Sequence, residues 1–334
     1  MKKRLILTVA LMLLACVGAF ALTEADYTEF GPYTHQVFDT ENDAGTLTVR
    51  YIETYSYMKN GEKVLAGDCT VFISPEGLVM VIDCSSQPCF EELDKQFQMM
   101  GIEKIDIFVM SHPHSDHIGA FTQIAAKYPV SKVYKNSVNY TSGTYANAMN
   151  DIKTRNIPYE ILYAGDEFMF GEYITLKCYA PTPEKTEGKE NAEAGDMNGT
   201  SLALKITYGD SSFWSSGDLY VKEEQDLMTT YTAEELSADI MKMNHHGKST
   251  SNLKDFIKYI APKVAIGMYD LIEDKTVAQR YKYLCKVDQV FYTCSDGSVR
   301  VRTTGDGTYD IQTSRIRTIK WYGDISEDGH YVID

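Results

Sequence analysis

The sequence predicts an α/β protein in which two β-sheets pack face to face and helices cover their outer sides. Strand-like and helix-like segments alternate in two successive blocks, with neither a linker nor a fixed-period repeat between them. The 334 residues are 44% hydrophobic and 24% charged, which supplies a large core and excludes a disordered or collagen-like chain. We therefore expect one domain, residues 22–334, with α/β/β/α layering.

The first block contains five predicted strands and two predicted helices. Residues 90–100 carry apolar side chains at helical spacing and end at Gly101, and residues 117–128 show a similar pattern. The strands are predicted from apolar or alternating segments with turn residues between them. They cover residues 46–58, 69–74, 78–83, 104–111 and 131–136.

The second block repeats this scheme after a polar segment. Residues 182–199 show no hydrophobic period and are expected to form a long surface loop. Thr232 and Glu235 have capping-box spacing, so a helix should begin there. Further helices are predicted over residues 252–262 and near 276–285. The predicted strands cover residues 174–181, 201–218, 238–247, 263–270, 289–294 and 298–304.

The first 21 residues have the pattern of a cleaved export signal. Three basic residues precede an apolar run from Leu5 to Leu14, and residues 19–21 form a small-x-small cleavage site. The run is too short to predict a membrane span, so the mature chain is expected to have none. We expect a secreted protein, with a lipid anchor at Cys16 as the alternative.

Charge and cysteine content limit the function classes. Loss of residues 1–21 removes three basic and no acidic residues, so the net charge moves from −15 to −18. Such an acidic protein repels nucleic-acid backbones and is not expected to coat them. The six remaining cysteines permit disulfides, of which Cys84/Cys89 and Cys285/Cys294 are the nearest pairs, but buried thiols are an equal alternative. No oligomeric state is indicated.

Three of the seven histidines fall within "SHPHSDHIGA", residues 111–120, as His112, His114 and His117 together with Asp116. Other chemically active residues also follow predicted strands. They are Asp83, Asp218 and the pair His245-His246. Side chains at strand ends converge when the ends share one edge of a sandwich. Imidazole and carboxylate donors suit Zn²⁺ or a similar ion, and two ions bridged by a carboxylate could activate water. A serine triad would leave two histidines without a role.

These motifs resemble the metallo-β-lactamase superfamily, whose H-x-H-x-D-H signature matches "HPHSDH". More narrowly, "GDCTVFISPEGLVMVIDCSS", "NGTSLALKITYGDSSFWSSGDL", "KMNHHGKSTS" and "VFYTCSDGSVRVRT" resemble the hydrolase domain of ComEC-type competence proteins and related secreted choline-phosphate esterases. The motifs occur in family order over about residues 46–304. The resemblance implies the four-layer αββα metallo-β-lactamase sandwich.

The resemblance also implies a distribution of ligands over two ions. His112 and His114 would hold one ion, Asp116 and His117 the other, and Asp218 would bridge them. His246 is favoured over His245 as the late histidine ligand because the ending "HGKS" matches the family motif, and two adjacent positions on an extended strand cannot easily point at one ion. His245 would donate a proton or contact substrate, and Asp83 would orient a ligand histidine. Asp116, His245 and Tyr269 are the candidate catalytic residues, with Tyr269 as an oxyanion donor or a pocket wall.

One departure from the wider superfamily concerns the His112/His114 ion. No histidine occurs between residues 118 and 244, and Asn198 and Ser201 stand where many members carry one. That ion would be held more weakly or completed by water or substrate, which argues against an antibiotic-hydrolysing enzyme. Asn198 and Ser201 either contact substrate or form local turns.

The expected function is metal-dependent hydrolysis. The cofactor would be one or two Zn²⁺ ions, with Mn²⁺ as the alternative, and the resemblance favours small or oligomeric phosphodiesters as substrates. A lactonase-like or lactamase-like hydrolase of a carbon centre and a non-catalytic metal-binding protein are the alternatives.

Overall fold

The computed structural model describes residues 22–57, 63–65, 67–187, 197–269, 272 and 274–317. The predicted export signal with Cys16, the alternative anchor site, and half of the polar segment 182–199 lie outside these residues. Among the described residues, no helix is long and apolar enough to cross a membrane.

Seventeen strands are described, and fifteen of them form two large sheets. In chain order they are β1 Leu47–Tyr51, β2 Tyr55–Tyr57, β3 Lys63–Leu65, β4 Thr70–Ile73, β5 Val79–Ile82, β6 Ile107–Met110, β7 Val133–Lys135, β8 Tyr159–Ile161, β9 Glu167–Phe170, β10 Ile174–Ala180, β11 Ala203–Tyr208, β12 Ser211–Ser215, β13 Ile240–Lys242, β14 Val264–Gly267, β15 Gln289–Tyr292, β16 Val299–Thr303 and β17 Asp310–Thr313. The first sheet has the order β17-β16-β1-β4-β5-β6-β7-β8, and the second has the order β15-β14-β13-β12-β11-β10-β9. β2 and β3 form a separate hairpin.

Three apolar clusters pack the two sheets and the helices into four layers. The middle cluster joins both sheets and includes Phe72 and Val109 from the first and Ile206 and Phe213 from the second. The other two clusters join each sheet to its own helices. Phe97 and Phe121 belong to the cluster on the first sheet, and Phe256 to the cluster on the second. The predicted αββα layering is confirmed.

Twelve α-helices are described, and most are short. They are α1 Glu24–Glu29, α2 Thr34–Phe38, α3 Phe90–Met99, α4 Ser115–Ile118, α5 Phe121–Lys127, α6 Gly143–Thr154, α7 Pro183–Thr186, α8 Val221–Thr230, α9 Ala233–Leu236, α10 Lys254–Ile260, α11 Lys275–Gln279 and α12 Thr293–Asp296. The capping box predicted at Thr232 is confirmed, since its hydroxyl accepts from Glu235 N and the Glu235 carboxylate accepts from Thr232 N.

Several predicted elements differ from the structure, and the strand expected over 201–218 is two strands, β11 and β12. The strand expected over 46–58 stops at Tyr51 and resumes as β2, because residues 52–54 leave the sheet while remaining buried. The helix expected over 117–128 is two helices, α4 and α5, separated by Gly119 and Ala120. The strand expected over 238–247 ends at Lys242, before the two histidines. Cys84 and Cys285 are free thiols, so neither of the two nearest cysteine pairs forms a disulfide, and Cys69, Cys84, Cys89 and Cys178 are buried.

The topology brings several strand ends to one edge of the sandwich. β5 and β6 run parallel in the first sheet, and β12 and β13 run parallel in the second. Their carboxyl ends deliver Asp83, the histidine cluster, Asp218 and the His245-His246 pair to that edge. β4 is antiparallel to β5, so its amino-terminal end, preceded by Asp68, lies at the same edge.

Candidate metal centre

His117 lies in the buried part of the site and is backed by Asp83. The Nδ1 atom of His117 lies 2.8 Å from Asp83 Oδ2, so its Nε2 atom faces Asp218 Oδ1 at 3.3 Å. Asp83 also accepts from the backbone N and the hydroxyl of Ser111, at 2.8 and 2.6 Å. The predicted position of Asp83 behind a candidate ligand histidine therefore matches the geometry.

His246 has the same arrangement, with Asp68 behind it, a residue that was not predicted to belong to the site. Its Nδ1 atom donates toward Asp68 Oδ1 and the carbonyl oxygen of Met268, each at 3.0 Å. Its Nε2 atom then faces Asp218 Oδ2 at 3.2 Å and Asp116 Oδ2 at 3.3 Å. A carboxylate behind an imidazole fixes the ring and raises its basicity.

The approach of Asp68 to this histidine depends on the preceding glycine. Gly67 has φ +145°, and a Cβ atom there would lie 1.8 Å from the Asp116 carbonyl oxygen. The same carbonyl oxygen accepts from Asp68 N at 3.1 Å. Gly67 thus allows the segment before β4 to lie directly against the histidine cluster.

His112 and His114 face each other on the more open side of the site. His112 Nε2 lies 3.0 Å from His114 Nδ1 and 4.0 Å from Asp218 Oδ2. The other nitrogen of His112 lies 3.1 Å from the Ser111 hydroxyl, which itself donates to Asp83. His112 therefore has a hydroxyl group behind it, where His117 and His246 have carboxylates.

His245 also reaches the site, which corrects the expectation that adjacent histidines would diverge. Both histidines have left-handed backbone conformations, with φ 46° at His245 and 58° at His246, so they lie on a turn and not on an extended strand. His245 Nε2 is 3.7 Å from Asp218 Oδ2, the oxygen that His246 also faces. Its Nδ1 atom lies 2.7 Å from the Thr250 hydroxyl.

A buried polar network holds this turn. Glu224 on α8 accepts from the Asn244 side chain at 2.7 Å and from Asn252 N at 2.6 Å. Asn252 in turn accepts from Asn244 N at 3.1 Å and donates to the Asn244 carbonyl oxygen at 2.8 Å. Left-handed conformations at residues other than glycine each cost about 1 kcal/mol or more, so a fixed surrounding is required to keep them.

Asp218 is the centre of the arrangement, and it divides the histidines into two groups. We call His117 and His246 the carboxylate-backed half, because Asp83 and Asp68 lie behind them. We call His112 and His245 the hydroxyl-backed half, because Ser111 and Thr250 lie behind them. Both halves face the Asp218 carboxylate, which is 2% exposed.

The donor set fits a divalent metal ion. Among the described residues, the buried Nε2 atoms of His117 and His246 and the Oδ1 atom of Asp218 have no hydrogen-bond partner. Ligand atoms of Asp68, His117, Asp218 and His246 all lie within 4.8 Å of one another. Buried polar atoms without a hydrogen-bond partner are costly, and their convergence on one point fits a cation that binds all of them. The oxygens of Asp68 already contact the far nitrogen of His246 and Lys242 Nζ, whereas Asp116 Oδ2 faces His246 Nε2.

The same geometry separates the histidine pKa values. Burial disfavours the charged form of His117, but Asp218 and Asp83 outweigh it and raise its pKa well above the usual range. Asp218 and Asp68 do the same for His246. Burial dominates in the other half, where it lowers the pKa of His112 well below normal and that of His245 to about 4.

The remaining predicted residues lie around the site. Asn198 donates to the Tyr220 hydroxyl at 2.9 Å and lies 3.4 Å from His245 Nε2. The Ser201 hydroxyl is fully buried and accepts from Asp218 N at 3.1 Å, so it helps to hold the backbone of that aspartate in place. The Tyr269 ring stacks on His246 with centroids 4.6 Å apart, which makes it a wall of the site.

Two buried charged residues that contact the candidate ligands, Asp68 and Lys242, were not predicted from the sequence. Lys242 Nζ contacts Asp68 Oδ2 and lies 3.6 Å from Asp218 Oδ1. A signal for Asp68 was present, since it directly precedes the predicted strand 69–74, which only a short turn separates from the strand that ends at Asp83. Lys242 is the last residue of a strand, and nothing in the local sequence pattern indicates that it is buried.

Comparison with known proteins supports the resemblance. No protein-family model matches the chain. It is 24% identical over 224 residues to ComE operon protein 3 of Bacillus subtilis (strain 168), and 24% identical over 225 residues to competence protein ComA of Neisseria gonorrhoeae. Both alignments cover 66% of this chain, which spans only 26% and 28% of the two relatives. The predicted resemblance to ComEC-type competence proteins is confirmed.

Solved structures similar to this chain include metallo-β-lactamase fold proteins. One is YhfI from Bacillus subtilis, with 16% sequence identity and a TM-score of 0.46. The similarity covers 74% of this chain and 96% of YhfI.

Proposed function

We propose that this protein is an exported, metal-dependent hydrolase that acts on phosphodiesters. The observation that carries the proposal is the convergence of His117, His246, His112 and His245 on the single buried carboxylate of Asp218. His114 and Asp116 complete the donor set at its open side. These seven residues would hold one or two ions, with Zn²⁺ or Mn²⁺ as the candidates for nitrogen and oxygen donors.

A bound metal ion would lower the pKa of a water molecule and stabilise negative charge that develops on the substrate. The chain's own residues provide the rest. Asp83 and Asp68 fix the tautomers of His117 and His246, so that the Nε2 atom of each ring points inward. Asp116 is about one-third exposed and would hold an attacking water in place, but His117 and His246 outweigh burial and lower the pKa of its carboxyl, so it is a weak proton acceptor.

The entrance favours an anionic substrate. Lys248 Nζ lies 4.9 Å from the centroid of the Tyr269 ring, which stacks on His246. A positive charge is thus held beside the candidate metal centre of a chain whose net charge is −15. This local charge supports a small phosphodiester, whereas the overall charge disfavours long nucleic acids.

The test is metal analysis combined with three chromogenic substrates. Bis(p-nitrophenyl) phosphate, p-nitrophenyl phosphorylcholine and nitrocefin report on phosphodiester, choline-phosphate and lactam hydrolysis. We expect phosphodiester hydrolysis that chelation removes and that falls by about 10³-fold or more in Asp218→Asn, because both ions share that carboxylate. Purified protein that binds no metal, or an Asp218→Asn variant with full activity, would contradict the proposal. Hydrolysis of nitrocefin alone would favour a carbon-centre hydrolase.

A further inference from the structure

Lys242 places a buried positive charge directly beneath the candidate metal centre. Its Nζ atom donates to the Gly217 carbonyl oxygen at 2.8 Å, contacts Asp68 Oδ2 and lies 3.6 Å from Asp218 Oδ1. The side chain is 2% exposed. A buried ammonium group requires a carboxylate partner, and among the described residues only these two aspartates come within 4.0 Å of it.

Asp68 lies between this ammonium group and a candidate ligand. One of its oxygens accepts from His246 Nδ1 at 3.0 Å, and the other contacts Lys242. Asp218 offers Oδ1 to His117 Nε2 at 3.3 Å, and this is the same oxygen that Lys242 approaches. The lysine and a metal ion held by His117 would therefore compete for one carboxylate oxygen.

We propose that Asp68 is a positioning residue that keeps the Lys242 ammonium group off Asp218, so that Asp218 stays available to the metal ions. This inference rests on the proposed metal site. Without the Asp68 charge, Asp218 would be the remaining carboxylate beside Nζ, and the lysine would pair with it. Two unit charges at about 4 Å attract strongly in a buried site, so this pairing would oppose metal binding.

A double substitution distinguishes this role of Asp68 from a purely structural one, because the two roles predict different metal affinities for it. If Asp68 only orients His246, removal of Lys242 as well cannot restore metal binding. If Asp68 restrains a competing cation, removal of that cation must restore it. Asp68→Asn keeps the size and an oxygen that can accept from His246, and Lys242→Met keeps the length of the side chain while removing its charge.

The experiment measures Zn²⁺ affinity of the purified full chain by competition with a chromophoric chelator. We expect Asp68→Asn to weaken the tighter binding by about tenfold or more, within the range for residues behind metal ligands. Asp68→Asn/Lys242→Met should recover most of that loss. Thermal unfolding and circular dichroism of the metal-free proteins establish that each variant folds.

Asp43→Asn is the matched control. Asp43 and Asp68 are both 4% exposed, and Asp43 pairs with the buried Arg50 at 2.8 Å. The two aspartates lie at opposite ends of β4, since Asp68 precedes it and Gly45 N donates to the carbonyl oxygen of Pro75 beyond it. Asp43→Asn should lower stability and leave Zn²⁺ affinity within about twofold of wild type.

Three results would overturn the inference. They are wild-type affinity in Asp68→Asn, a double variant that binds no more tightly than Asp68→Asn, and a wild-type protein that binds no Zn²⁺, which would also overturn the proposed function. If Asp68→Asn does not fold, Lys242→Met alone decides. Affinity equal to or above wild type supports competition by the lysine, and affinity more than tenfold lower contradicts it.

Discussion

The two halves of the candidate metal centre share Asp218 but differ in what lies behind their histidines. Asp83 and Asp68 lie 2.8 and 3.0 Å from the Nδ1 atoms of the carboxylate-backed half, His117 and His246. Hydroxyl groups lie 3.1 and 2.7 Å from the Nδ1 atoms of the hydroxyl-backed half, His112 and His245. A carboxylate makes an imidazole more basic than a hydroxyl does, so the two halves should bind metal with unequal affinity.

The difference also bears on the histidine that many metallo-β-lactamase superfamily proteins carry and this chain lacks. The sequence predicts a weaker ion at His112 and His114 because no further histidine follows before residue 245. In the structure His245 Nε2 lies 3.7 Å from Asp218 Oδ2, the oxygen that His112 Nε2 approaches at 4.0 Å. We propose that His245 completes the hydroxyl-backed half. The metal affinity of this half would then be lower because hydroxyl groups lie behind its histidines, and not because it has fewer histidines.

The largest expected effect comes from removing one histidine of the adjacent pair. His246→Asn should abolish the tighter binding event, because it removes a donor from the carboxylate-backed half. His245→Asn should remove the weaker event and leave the tighter one within about threefold of wild type. Zinc titration followed by equilibrium dialysis measures both.

The two variants control for each other, because both replace a residue of the same left-handed turn. Asparagine is chosen since it tolerates φ values near +50° better than most residues. Loss of the tighter ion in His245→Asn, with the weaker one retained, would reverse the assignment of the two halves.

A smaller effect is expected from Thr250→Val, which removes the hydroxyl behind His245 while keeping the shape of the side chain. One neutral hydrogen bond is lost, so the weaker affinity should fall about 2- to 10-fold. The tighter affinity should not change. A decrease confined to the tighter event would show that Thr250 acts on the carboxylate-backed half.

The fold could be predicted from sequence because it depends on patterns that are local. Apolar segments and turn residues located most strands, and ordered motifs after them located Asp83, the histidine cluster and Asp218. Asp68 was missed because it precedes a strand, and its place at the site follows only from the antiparallel pairing of β4 with β5. Lys242 was missed because a single lysine at a strand end is more often solvent-exposed than buried.

The error at His245 has a different cause. Its side-chain direction was inferred from strand periodicity, but the strand ends at Lys242 and the following residues take left-handed conformations. That turn is held by Glu224 and Asn252, which come from a helix and a loop elsewhere in the chain. Such long-range contacts cannot be read from the spacing of two adjacent histidines.

The measurement that tests the unequal halves most directly is calorimetric titration of the metal-free protein with Zn²⁺ in buffers of different ionisation enthalpy. Carboxylate neighbours raise the pKa values of His117 and His246 well above the usual range, so we expect both rings to bind a proton more tightly than a free histidine and to lose it when metal binds. Burial lowers the pKa of His112, and that of His245 to about 4, so these rings are already neutral.

We therefore predict two binding events at pH 7. The tighter event releases protons, one from each of His117 and His246, and strengthens as pH rises toward the raised pKa values of these histidines. The weaker event releases no proton from His112 or His245, and its affinity changes little above pH 6. Two events of equal affinity, or proton release confined to the weaker event, would contradict this account of the site.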